Sequence, residues 1–226
     1  MALRVYPVKA MRFTFLFLTL IVLFPAAARA DYFHWRDPDS GLTITFPDTW
    51  KEQTNRKPED RLTVMAPSAN DQPVCKVKVV DDRRYVIFPP DMGNAVQRTA
   101  VSVPFWKDYL GEYDGYNLSR VYDGAGLGRW HASYALASYK THLGSAIQTR
   151  RAIMFASLYN DTLYIVECSA LNHAYEQYAP IFQSVVKSID FKKAYHELKI
   201  GDYANFLKGA DLYFWSQTGP DGTIGY

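Results

Sequence analysis

From residue 32 onward the chain is dominated by apolar and polar residues that alternate with a period of two, the mark of strands buried on one face. YFHWR (32–36) and LTITF (42–46) alternate on either side of DPDSG, whose proline, aspartates and glycine favour a turn, so the pair reads as a hairpin. Pro47 closes the second strand, and DTW (48–50) makes a corner that returns Trp50 to the sheet. RLTVMA (61–66) and VCKVKVV (74–80) are further strands divided by the loop PSANDQP, and DDRRYVIFPP (81–90) gives a turn and another short strand.

Residues 91–113 change period. Apolar positions fall at helical spacings, and Pro104 cannot sit deep inside a helix. The segment therefore predicts one short helix before Pro104 and a second starting near it, carrying Phe105, Trp106, Tyr109 and Leu110 and ending at Gly111 or Gly115. Strands return with NLSRVY, then RWHASYALASYK, AIQTRRAIMFASLY and LYIVECSA, separated by turns at HLGS and NDT, which is the pattern of an antiparallel meander. Asn172 is expected to cap a helix that runs to about Ser188, with Pro180 inside it. FKKAYHEL, DYANFL and ADLYFWSQ come next as a C-terminal extension (193–226). The predicted fold class is α+β, a central antiparallel sheet flanked by helices as an α/β/α sandwich.

The N-terminus alters the reading of compartment. Arg4, Lys9 and Arg12 precede an uncharged apolar run of twelve residues, Phe13 to Phe24, and PAAARA comes after it with small residues at Ala28 and Ala30. This is the layout of a signal peptide (1–30) cleaved after Ala30, with an uncleaved signal-anchor as the competing reading. A spanning helix needs about 20 apolar residues, so the run is short for one, and stable membrane insertion after cleavage is not expected. The product is expected in the periplasm or secreted. Of the 25 basic residues four lie in 1–30, where there are no acidic ones. The remainder carries 21 basic against 23 acidic residues, a net charge of about −2. A near-neutral, mixed surface gives no electrostatic reason for a nucleic-acid partner.

Two cysteines remain, Cys75 and Cys168, each in an alternating strand with its sulfur on the apolar side. In an oxidising compartment an even pair reads first as a disulfide, with two buried free thiols as the alternative. No CxxC motif or cationic cluster argues for a reactive thiolate.

Two stretches carry a family resemblance. DSGLTITFPDTWKE (39–52) resembles the opening signature of the PsbP-like and Mog-type fold group, where an apolar strand meets a proline and a buried tryptophan. YEQYAPIFQSVVKSIDF (175–191) resembles its closing signature, an amphipathic helix turning into a last strand. The resemblance spans about residues 32–192 and implies the same sandwich. It also implies a binding or assembly partner in a larger envelope complex more than an enzyme. No family site residue matches a motif here, and the extension has no counterpart.

Candidate chemistry is sparse. DGAGLGRWH (123–131) spaces its glycines as GxGxG, not as the GxGxxG that opens a helix onto a pyrophosphate, and the residues after it alternate as a strand. The stretch reads as a hairpin or bulge loop that puts Arg129, His131 and Ser133 on one face and Trp130 on the other. Arg129 and His131 are the candidate binding pair, serving a small ligand or a hydrolase substrate in the alternative to protein binding. The five histidines show no HxH, HxxxH or HExxH spacing, so no metal or cofactor is predicted. No GxSxG elbow is present. In the extension Tyr213 and Trp215 have opposite parity to Phe214, so a strand there is apolar on both faces; the segment either packs onto the sheet of its own domain or covers a partner, for which these three are the candidates.

Overall fold

The computed structural model describes residues 31–54, 57–84 and 92–193. The leader, the short strand expected within 85–90, and the extension bearing Tyr213, Phe214 and Trp215 lie outside the described residues.

Among the described residues there are nine strands and three helices, of which the strand Lys51–Glu52 has no counterpart in the sequence reading. They are β1 (Tyr32–Arg36), β2 (Thr43–Pro47), β3 (Lys51–Glu52), β4 (Asp60–Met65) and β5 (Val74–Asp81), then α1 (Gly93–Ala100) and α2 (Val103–Leu110). β6 (Tyr116–Leu127), β7 (Trp130–Leu143), β8 (Ala146–Tyr159) and β9 (Thr162–Leu171) form the meander, and α3 (Tyr175–Lys187) closes the order. β1 and β2 pair as a separate hairpin, and the other seven strands form one antiparallel sheet in the order β3-β4-β5-β9-β8-β7-β6.

Both sheet faces are covered, so the inner strands bury residues of either parity. On β7, Tyr134 and Leu136 face a core shared with Trp50, Ile44 and Phe46 of the hairpin region and with Tyr175, Phe182 and Val185 of α3. Ala135, Ala137 and Tyr139 face the second core, under Val101, Trp106 and Leu110 of the α1–α2 layer. That second face is rich in alanine, with Ala152 and Ala156 on β8 besides. Small side chains let the short helices come close enough for polar docking. Gln97 of α1 lends its amide to β8 like a strand partner, Nε2 donating to the Ala156 carbonyl at 3.2 Å and Oε1 accepting from the Leu158 N–H at 2.6 Å. Trp106 Nε1 donates to Ser133 Oγ at 2.9 Å.

Two local expectations change. The glycine stretch is mostly strand, because β6 runs through Gly124 and Gly126 to Leu127, with a bulge between Tyr122 and Ala125 taking up the extra residues. α3 has Ala174, not Asn172, at its N-cap position. The chain turns first, with the Ala174 N–H donating to the Leu171 carbonyl, and the Asn172 N–H donates to Thr149 of β8.

Cys75 and Cys168 stand directly opposite each other on β5 and β9 and form a disulfide, both fully buried. Of the two readings open from sequence the bridge is the one observed. It closes a loop spanning a sequence separation of 93, and in the chain-entropy account cross-links of that span stabilise by about 3–5 kcal/mol. Replacing both cysteines with alanine should lower the urea-unfolding free energy by about that amount. A loss below roughly 1 kcal/mol would show that the pairing holds without its clasp.

Candidate functional site

At one end of the sheet the turns bring charged side chains from separate segments together. The β1–β2 turn brings Asp39 and Ser40, the start of β4 brings Arg61, and the end of β5 brings Val79 and Asp81. The β8–β9 turn adds Asn160, Asp161 and Thr162, and the chain leaving α3 adds Lys192 and Lys193. Together these groups wall an open cavity of about 620 Å³, within the several-hundred-Å³ range of ligand sites.

Tyr159 and Tyr164 contribute to the lining, and both stack on the buried Phe191, with ring centres 5.5 Å and 4.1 Å away. Burial pushes the Tyr164 hydroxyl above its ordinary range, so it stays a protonated donor. Asp161 is held by the turn it sits in, accepting from Asn160 Nδ2 at 3.0 Å and Thr162 Oγ1 at 3.1 Å. Asn160 carries a positive φ of 57°, a conformation asparagine tolerates in turns. Arg61 donates to Asp39 at 2.9 Å across the mouth. Three carboxylates and three cations therefore line one concavity, a lining suited to recognising a partner of mixed charge rather than a simple anion or cation.

Arg129 and His131 flank this end without lining the cavity. Arg129 occupies the two-residue turn between β6 and β7, where Gly128 has a φ of +60°. Its guanidinium grips Asp190 in a two-pronged pair, Nε at 3.1 Å from Oδ1 and a terminal nitrogen at 2.6 Å from Oδ2. Asp190 in turn exchanges main-chain bonds with Thr43 of β2. Arg129 thus staples the meander to the hairpin. His131 lies on the α1 face with Ser133, as alternation predicts, and its carbonyl accepts the Ser157 hydroxyl at 2.8 Å. Burial first, then the charge of Arg98 on α1, holds its imidazole below the ordinary histidine range. The two side chains do not converge on a shared ligand position.

A buried polar group escaped sequence reasoning. Glu167 on β9 is almost fully buried and accepts from Tyr109 at 2.8 Å, Tyr113 at 3.1 Å and Tyr139. Burial and the adjacent carboxylate push all three hydroxyls far above the normal tyrosine range, so they remain donors. Arg150 lies next to this group, donating to Ser169 and to the Gln72 carbonyl at 2.6 Å. The available signal was a lone carboxylate in the apolar run LYIVECSAL, since a buried charge must find partners. Among the described residues, no three His, Cys, Asp or Glu side chains gather to hold a metal.

No protein-family model matches the sequence, and no curated protein matches it. Among solved structures, the chain is similar to the cyanobacterial PsbP (CyanoP) of Synechocystis, at 12% identity and a TM-score of 0.45, over 74% of this chain and 96% of that one. It is also similar to LpqN, described as involved in cell envelope biogenesis of Mycobacterium tuberculosis, at 14% identity and a TM-score of 0.43, over 72% and 91% of the two chains.

Two measurements check the assignments at this end. A Cβ at Gly128 falls 2.8 Å from the Phe191 ring, on a backbone of positive φ. Gly128→Ala should therefore cost about 2–4 kcal/mol. At Gly124 the added atom meets only the end of the exposed Tyr122 ring, so Gly124→Ala should cost under about 1 kcal/mol. Equal costs would refute the turn assignment. For His131 the folded pKa lies below the unfolded value of about 6.5, so its stabilising contribution is complete above that value and lost as pH falls through the lowered folded one. Between pH 7.5 and 5 the wild type should lose more stability than His131→Asn, and parallel pH profiles would contradict this.

Proposed function

We propose that the chain is an exported, non-catalytic protein that binds a protein partner in the cell envelope, using the charged cavity at the turn end of its sheet. The observation that carries this reading is the cavity itself, lined by three carboxylates and three cations together with Tyr159 and Tyr164. Opposed charges at a rim orient an incoming surface and select against wrong partners more than they add affinity.

The disulfide supports export, since buried bridges form and persist in oxidising compartments, and so does the leader-like N-terminus. Among the described residues no helix is long and apolar enough to cross a membrane. A binding role fits the polar groups themselves, because those drawn close together serve the fold. Arg129 is matched with Asp190, Gln97 with β8, and Glu167 with its tyrosines. The extension bearing Tyr213, Phe214 and Trp215 follows directly in sequence after Lys192 and belongs to the same proposal as a second partner-facing segment. A second reading, a small polar ligand in the cavity, is favoured by its volume.

A photoreactive residue placed at Thr162 should give one discrete protein adduct in envelope extract. Reversing Lys192 and Lys193 together to glutamate should lower its yield by roughly tenfold. Retention of a small molecule by the purified protein, with no adduct from position 162, would overturn the protein-partner reading in favour of the second.

A further inference from the structure

β1 is the outer strand of its hairpin and faces solvent, with Tyr32 and Phe33 54% and 52% exposed. Bonds on the far side of β2 show which of its main-chain groups lack a strand partner. Thr43 exchanges main-chain bonds with Asp190, while Thr45 donates its N–H to Ser188 Oγ and its carbonyl accepts the Ser188 hydroxyl. Both threonines therefore turn their main chain away from β1. By alternation Ile44 and Phe46 bond to Trp35 and Phe33, and the N–H and C=O of Tyr32, His34 and Arg36 point outward.

The other outer strands are protected against strand addition. β3 has two residues, and β6 is interrupted by two register shifts and carries Arg120 and Asp123. β1 keeps regular register over its whole length and contains no proline. Its core-facing side is also incomplete. Phe33 and Trp35 share a face with the buried Ile44 and Phe46, yet Trp35 is only partly covered and Phe33 reaches only the Phe46 ring, at 5.5 Å.

The described chain ends at Lys193, at the Arg36 end of this hairpin. Asp190 bridges to Thr43, and Lys192 lies against Gly41 in the turn, where an added Cβ would fall 3.0 Å from that of Lys192. The position beyond β1 is three strand spacings away, about 14 Å, which residues 194–210 span with ample length. Running back along β1, DLYFWSQ (211–217) fits the edge in one antiparallel register. Asp211 falls opposite Arg36, Leu212 opposite Trp35, Tyr213 opposite His34, Phe214 opposite Phe33 and Trp215 opposite Tyr32. Opposite charges then meet at the turn end, and an aromatic pair forms on each face. Leu212 and Phe214 complete the core side, while Tyr213 and Trp215, whose polar tips suit a wet face, stay outward. A shift of one residue exchanges the two faces and separates Asp211 from Arg36. We propose that residues 211–215 add to the outer edge of β1 of the same chain as a third strand of the hairpin sheet. Held in this way, the extension keeps Tyr213 and Trp215 turned toward the partner proposed above, and the pairing rests on the hairpin edge rather than on the cavity.

Paired cysteines in the full mature chain test it. His34→Cys with Tyr213→Cys sets two cysteines in a hydrogen-bonded facing pair, about 5.5 Å apart at Cα, a distance a disulfide spans. Mild oxidation at low micromolar concentration should link most of this variant within one chain. His34→Cys with Phe214→Cys, whose side chains leave opposite faces, should link at least tenfold less. In hydrogen exchange the His34 amide should be slow in the wild type and at least tenfold faster in Phe214→Asp, with the Val166 amide at the sheet centre unchanged as the check on folding. Absence of the 34–213 bond, equal linking of both pairs, disulfides only between separate chains, or a His34 amide that exchanges freely in the wild type would each overturn the proposal. None of these outcomes bears on the adduct expected from position 162, so the edge and the cavity fail separately.

Discussion

The antiparallel pairing of β5 with β9 is the constraint on which the rest depends. Eight residue pairs, from Val74↔Ser169 to Asp81↔Thr162, join the three short strands of the first half to the four-stranded meander of the second. Neither part has a complete sheet to bury alone. Pairing so distant in sequence costs loop-closure entropy before any contact rewards it. The Cys75–Cys168 bridge sits inside this pairing, where it offsets that cost by restricting the unfolded chain.

Once β5 and β9 are joined, both faces must be covered, and the two covers do different work. α3 and the β1–β2 hairpin bring large aromatic and aliphatic side chains onto one face. The α1–α2 layer settles on alanine-lined strands and is located by polar contacts, from Gln97, Trp106 and the tyrosines that enclose Glu167. A carboxylate buried in this way is costly unless fully hydrogen-bonded, so it specifies one docking position for the helical layer. One end of the sheet gathers carboxylates and cations around a cavity, and at the other the β7–β8 ribbon runs past both of its neighbours.

Much of the architecture could be read from local pattern. The meander, the proline-marked helix pair and the turn at Asn160 all follow from alternation and turn chemistry, as does the parity of the two cysteines. Local pattern could not supply the partner of each strand, and it was partner geometry that showed β6 carrying the glycines as a bulged strand. Arg129 and His131 share a parity in sequence, yet parity lapses at a two-residue turn, and Arg129 answers to Asp190, 61 residues away. The cavity was illegible for a similar reason. Asp39, Arg61, Asp81, Asp161 and Lys192 come from five separate segments and are individually ordinary surface or turn residues.

The most direct test of this account is the state of Cys75 and Cys168 in protein taken from the cell envelope without reduction. The native protein should contain no thiol that alkylates, and peptide mapping should return one linked pair joining the β5 and β9 peptides. Two cysteines that alkylate fully in the native, unreduced protein would contradict both the clasp on the central pairing and the proposal that the chain is exported to an oxidising compartment.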